Sequence, residues 1–329
     1  MLDSYRSDPQ GIFCYLDPKI GNHDRFVEIY HYLKDISPPV YYYDKESGYT
    51  IQKCIDGDYG MGYYDAMSDA MSGEFGITYA NPDGVKEYLD GYPWDLNDEF
   101  EFFGDAIKLL DSILNADIPN LKKLQEQELI NQMKSFEKIY LNTFLEMSIF
   151  ENAAQKENLD KLIQVTANKL KEQPFVNCHT DFEGRNILVC YEEEKLYIID
   201  YQDMCIGPAG IDLAGIFFDH YICDKLHLNK TLLIKQLDNL KYLKSGKYSF
   251  KNNELYDFAR WGCIQRNMRI LGTLSNLYLQ KDRSFRLKDL TTILDNLIFA
   301  IPSEFQELKD YFKKNVSPRN DQRCKEILR

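Results

Sequence analysis

His179-Thr180-Asp181-Phe182-Glu183-Gly184-Arg185-Asn186, running on into Ile187-Leu188-Val189-Cys190 and closed by Leu196-Tyr197-Ile198-Ile199-Asp200, is the stretch that decides how this chain is read. Phe175 to Cys178 is a β-like run that leads into His179, and Asn186 follows Asp181 by five residues. The two apolar runs after it read as strands joined by the acidic turn Glu192-Glu193-Glu194. The spacing predicts a hairpin with proton- and metal-competent side chains at its ends, Asp203 lying just beyond Asp200.

Phosphoryl transfer needs such a set. One carboxylate orients the attacking hydroxyl and accepts its proton, while an Asn and a second Asp hold Mg²⁺ against the nucleotide phosphates. Mg²⁺ takes hard oxygen ligands, one or two of them from carboxylates. Asp181 suits the first role; Asn186 and Asp200 suit the second. His179 reads as a scaffold residue bracing the loop rather than as a base. A bare His-x-Asp is common by chance, but the same pair followed by Asn186, a hairpin and a strand-closing Asp is restrictive.

Outward from this stretch the texture changes twice. Residues 11–17 read as a strand, and 24–33 as a helix with Phe26, Val27, Tyr30 and Leu33 on one stripe. Residues 40–54 read as a hairpin turning at Ser47-Gly48. Residues 56–98, rich in glycine and aromatics, read as an irregular insertion. Beyond them the pattern is helical: Phe103, Ile107, Leu110 and Leu114 recur at helical spacing, as do Leu129, Met133, Phe136 and Tyr140. The expected domains are 1–55, a reduced N-terminal nucleotide lobe; 56–98, the insertion; and 99–329, a helical lobe carrying the loop 179–186 and the segment 200–203.

Composition narrows the class. Of 329 residues 44% are hydrophobic and 28% charged, an ordinary globular balance. A net charge of −13 argues against nucleic acid as a partner, because that affinity rests on Lys and Arg. No apolar run reaches the roughly 18 residues a membrane span needs, and the polar start Met1–Gln10 lacks a signal-peptide core. The eight cysteines form no C-x-x-C pair, and most read as small buried hydrophobes in a reducing, cytoplasmic setting. Nothing in the sequence fixes an oligomeric state.

The run from His179 to Val189, with Ile199-Asp200-Tyr-Gln-Asp203-Met-Cys-Ile-Gly207-Pro208 and Ile211-Asp212-Leu-Ala, resembles the aminoglycoside phosphotransferase and choline kinase superfamily. Its second half is most similar to bacterial anomeric sugar kinases, which phosphorylate N-acetylmuramate and N-acetylglucosamine at C1 in cell-wall recycling. Ile107–Leu114, Leu129–Phe136 and Trp261–Gly272 are similar to helices of that group. The resemblance implies an α+β, bilobal protein-kinase-like fold, a small-molecule kinase using ATP and Mg²⁺, and a small acceptor, a sugar by the nearer likeness. By chain order it places the nucleotide hinge at 51–55, so that Gln52 and Cys54 contact the nucleotide. It offers Lys19 as a phosphate partner or a surface lysine. Asp203, Gln265 and Arg266 become acceptor contacts, with a solvated helix face as the alternative for the last two. Asp212 becomes a helix cap or a brace of the loop, and Arg185 a phosphate ligand or an internal ion-pair partner.

The chain also departs from the family pattern. Only about ten residues precede the first strand-like run, and no glycine-rich phosphate loop is visible. Either the start is missing or the nucleotide lobe is reduced, and a non-catalytic binding module stands as the rival. An aminoglycoside, choline or homoserine-like acceptor is the further alternative.

Overall fold

The computed structural model describes residues 7–8, 11–15, 23–44, 46, 49–53, 55, 57–59, 96–148, 153–190, 193–220 and 234–328, with backbone alone for 7–15, 49, 57–59 and 96–101. In chain order the strands and helices are β1 (Ser7–Asp8), β2 (Gly11–Tyr15), α1 (His23–Leu33), β3 (Val40–Asp44), β4 (Tyr49–Gln52), β5 (Gly57–Tyr59), α2 (Leu96–Asn115) and α3 (Glu126–Ser135). They continue as α4 (Ala153–Lys171), β6 (Phe175–Cys178), β7 (Ile187–Cys190), β8 (Lys195–Ile198), β9 (Cys205–Pro208), α5 (Gly210–Phe217), α6 (Asn252–Lys281), α7 (Leu290–Ala300), α8 (Gln306–Tyr311) and α9 (Ser317–Ile327). The chain is thus α+β, with a small sheet-bearing N-terminal region and a mostly helical remainder.

Two compact units divide it: 1–122 with 177–206 and 221–252, and 123–176 with 207–220 and 253–329. In the first, a four-stranded sheet runs β1-β2-β4-β3 and a three-stranded sheet runs β5-β7-β8. The hairpin expected at 40–54 is present, Tyr43 facing Thr50 and Asp44 facing Tyr49. His23, at the start of α1, meets the Thr50 hydroxyl at 2.7 Å and so ties helix to sheet. Gly57–Tyr59, at the head of the stretch read as an irregular insertion, forms a strand, Asp58 facing Val189 across 131 residues of chain. Residues 56 and 60–95 of that stretch lie outside the described residues, and 96–98 already belong to α2. On α2 the predicted stripe is the buried one: Phe103, Ile107, Leu110 and Leu114 are all within 4% of complete burial.

The second unit is helical. Leu129, Met133, Phe136 and Tyr140 are fully buried, and after Ser135 the helix widens into a π-helical stretch, Phe136–Phe144. Inside the unit the Tyr140 hydroxyl donates to Asn320 Oδ1 at 3.0 Å, and Asn320 donates on to Thr291 at 3.0 Å. Basic side chains satisfy carbonyls left over at helix ends: Arg319 donates to Leu145 O at 2.8 Å, and Arg323 to Phe144 O at 3.0 Å. Two glycines let backbones touch. A Cβ on Gly262 of α6 would stand 1.8 Å from Gly210 O, and one on Gly210 would stand 2.1 Å from Phe258 O. Gln173 locks the same crossing, accepting from the Gly210 N–H at 2.8 Å and donating to Phe258 O at 3.3 Å.

Of the eight cysteines, Cys178, Cys190, Cys205, Cys263 and Cys324 are buried and in no disulfide, matching the small-hydrophobe reading. Burial pushes the Cys324 thiol up to about 11 and Cys263 higher still, so neither supplies thiolate at neutral pH. Because the Gly262 contact is with backbone that cannot rotate away, Gly262→Ala should destabilise the chain by about 1–3 kcal/mol or more. Thermal melts of the variant beside the parent check this; an unchanged melting temperature would mean that α5 and α6 can part at no cost.

Candidate active site

All the residues of the decisive stretch lie in the first unit, and the β7/β8 register organises them. Ile187 faces Ile198 and Cys190 faces Lys195. Just outside the ladder the Ile199 N–H donates to Asn186 O at 3.0 Å. The Ile199 carbonyl, on its other side, accepts from His179 Nε2 at 2.9 Å. A carbonyl can only accept, so that nitrogen carries the proton and is not available there as a base. His179 is buried, with its ring edge-on to Phe182 at 6.2 Å. One residue, Ile199, therefore holds both ends of the 179–186 loop to the position before Asp200.

Asn186 closes the loop from inside. It is buried in a single 3₁₀ turn, Gly184–Asn186, and its Nδ2 donates to Asp181 O at 2.7 Å. Nδ2 is thereby turned toward the loop, and Oδ1 is the oxygen that the amide has left to offer a cation. Arg185 turns back on the buried Glu183 as an ion pair, which settles its reading as an internal partner. Asp181 is half-buried, whereas Asp200 and Asp203 are exposed. One oxygen of Asp200 accepts from Gln202 Nε2 at 2.7 Å.

Two residues here take left-handed backbone, Thr180 (φ 74°) and Asp200 (φ 62°). A β-branched residue in that region is strained, and such strain collects at functional sites. It re-aims the chain just before Asp181 and at Asp200. Around them α1 and the turn after it supply support. Phe26 stacks on the buried Tyr201 at 4.9 Å, and the Ile198 N–H donates to Ile36 O at 2.8 Å. Behind the loop, Asn177 Nδ2 donates to Ile113 O at 3.0 Å and to Ala116 O at 2.6 Å. It thus seats the last turn of α2 two residues before His179. Sequence reading passed over Asn177. Its only signal is a polar residue inside an otherwise apolar strand.

The other candidates fall as follows. Gln52 ends β4 and is half-buried. Lys19 and Cys54 lie outside the described residues. Asp212, Gln265 and Arg266 belong to the second unit. Asp212 is not a helix N-cap: α5 begins at Gly210 with Ala209 in the cap position, so Asp212 sits buried in the first turn. Gln265 and Arg266 are not on a solvated face either. Both are 1% exposed, and Gln265 donates to Gln132 Oε1 at 2.6 Å. α6 is buried on several sides along 262–268, so its polar residues there had to find protein partners.

Residues 85–233 match the model of a phosphotransferase enzyme family. A probable ethanolamine kinase of Arabidopsis thaliana is 30% identical over 115 residues, which is 33% of this chain and 30% of that protein. Among solved structures, the choline kinase LicA of Streptococcus pneumoniae superposes with a TM-score of 0.53 at 12% identity, covering 89% of this chain and 87% of that one. An AMP complex of LicA gives the same score. The ethanolamine kinase of Plasmodium vivax gives 0.54 at 14% identity, covering 93% and 83%. Likeness at these identities shows the fold, which is kinase-like. The match to the curated relative spans less than a third of its length.

Asn177→Ala strips the donor from two carbonyls at the end of α2 and should cost about 1–3 kcal/mol. A lowered denaturant midpoint checks it; an unshifted one would mean that water satisfies both carbonyls.

Proposed function

We propose that this chain transfers the γ-phosphoryl group of ATP to a hydroxyl of a small molecule. The observation that supports this is the tethering of the loop that carries Asp181, through His179 and Asn186, to the backbone of Ile199 beside Asp200. Asp181 orients the acceptor hydroxyl and takes its proton as the hydroxyl oxygen bonds to the γ-phosphorus and the bond to the ADP oxygen breaks. The protein's work is positioning, and loop residues pinned to a strand register suit it.

The donors present fit Mg²⁺: the Asn186 amide oxygen and the exposed Asp200 carboxylate are hard oxygens. Bound there, Mg²⁺ neutralises charge on the nucleotide phosphates. Gln52, at the end of β4, is a proposed nucleotide contact, joined by Lys19 and Cys54 on the family pattern. His179 is a scaffold residue in this reading, as is Asp212. Asp203 on the exposed rim is a proposed acceptor contact, as are Gln265 and Arg266, although their burial gives them structural work as well.

For the acceptor, the similarity to an ethanolamine kinase favours an amino alcohol such as ethanolamine or choline, and a strongly acidic chain suits a cationic substrate. An amino sugar phosphorylated at its anomeric hydroxyl is the second reading, supported by the run from Asp200 to Leu213. A cytoplasmic setting fits this reading, in keeping with eight cysteines scattered without a C-x-x-C pair. Among the described residues no helix is long and apolar enough to cross a membrane.

Asp181→Asn should lower kcat by about 10²- to 10⁴-fold with the melting temperature held; parental turnover would remove Asp181 from the mechanism. Asp200→Ala should abolish Mg·ATP binding in calorimetry. A parent protein that binds no nucleotide at millimolar concentration would favour the binding-module rival. ADP release across amino alcohols, amino sugars and aminoglycosides identifies the acceptor.

A further inference from the structure

The acidic turn between β7 and β8 does more than face solvent. Glu193 accepts from Lys53 Nζ in a close ion pair and from the Tyr197 hydroxyl at 2.5 Å. Lys53 directly follows β4, and its own N–H donates to Pro39 O at 2.7 Å, so its backbone belongs to the four-stranded sheet. Four residues later the chain enters β5, which pairs with β7 from Gly57 opposite Cys190. Lys53 therefore belongs with the four-stranded sheet, and Gly57 with the strand that pairs with the hairpin carrying the candidate site. The link from Lys53 to Glu193 joins side chains 140 residues apart in sequence.

We infer that Lys53, Glu193 and Tyr197 form a tether that fixes the junction between the nucleotide-lobe sheet and the catalytic hairpin, and so tunes nucleotide affinity. The inference rests on the nucleotide reading proposed above, which puts the adenine contacts on this junction at Gln52 and Cys54. An exposed ion pair by itself contributes little, because two long side chains must be ordered to make it. Here Glu193 is already oriented by Tyr197, which is 3% exposed and belongs to β8, so less freedom remains to be lost. Consistent with that, Lys53 first and Tyr197 second hold the Glu193 carboxyl below its ordinary range, while burial and Glu193 hold the Tyr197 phenol up. The hairpin then works from both ends. Asn186 and Asp200 stand where β7 begins and β8 ends, and the turn at the far end, about 13 Å away over four residues of strand, grips the junction. Lys53, Glu193 and Tyr197 act as positioning residues, not as catalytic ones.

Lys53→Ala and Glu193→Gln should each raise the Mg·ATP dissociation constant and the KM for ATP by about three- to fivefold, the weight of one such pair, with kcat within about twofold. The double variant should be no worse than the weaker-binding single one, and Lys53→Arg should retain parental affinity. Amide hydrogen exchange at 51–57, measured without nucleotide, should quicken in both single variants. Parental binding and exchange in the variants, or a fall in kcat with KM unmoved, overturns the tether while leaving the kinase reading intact. A parent that binds no Mg·ATP overturns the nucleotide reading and this inference with it, and the exchange data still tell the two failures apart.

Discussion

The backbone of Ile199 is the constraint on which the candidate site depends. Its N–H is taken by Asn186 and its carbonyl by His179, so the loop that begins at 179 and the turn that ends at 186 are both anchored to the end of one strand. A slip of one residue in the β7/β8 ladder would move Ile199 away from both partners and turn its neighbours to the opposite face. The apolar residues at Ile187 and Ile198, both fully buried, make such a slip costly. The geometry of the candidate site is thus held by strand register, which in turn is held by burial.

Strained backbone and exposed carboxylates coincide at the candidate site. Thr180 and Asp200 carry left-handed backbone, and Asp200 and Asp203 face solvent, while the residues that brace them, His179, Phe182, Asn186 and Tyr201, are buried. A strained residue persists only where its surroundings over-determine it. The stacking of Phe26 on Tyr201 and the bond from Ile198 to Ile36 supply that surplus from α1 and the turn after it. The acidic turn at the other end of the hairpin shows the same economy, with Glu193 serving two donors at once.

The second unit is held together differently. Its helices meet through glycine backbones at Gly210 and Gly262, and through polar links such as Tyr140–Asn320–Thr291 that specify one arrangement of otherwise apolar surfaces. Burial of Gln265 and Arg266 on α6 belongs to the same pattern. A helix surrounded on several sides has no solvated face to give its polar residues, and each must be satisfied within the protein.

What the sequence by itself determined is whatever short-range periodicity and spacing encode. The helical stripes on α2 and α3, the 40–52 hairpin, the three short strands around the loop and the His179–Asn186 spacing are local patterns, so they can be read without knowing what packs against them. Tertiary structure alone decided the features that join distant segments. Gly57–Tyr59 is three residues long, too short to show alternation, and is a strand only because β7 lies beside it. Asn177 became a helix brace because the end of α2 brought two carbonyls to it. Arg266 read as an acceptor contact or part of a solvated helix face until α6 was enclosed, and the exposed Glu193 gave no sign of its distant partner Lys53. In each case the deciding partner lies far away along the chain, and a hydrogen bond or an ion pair leaves no mark on the residues immediately around it.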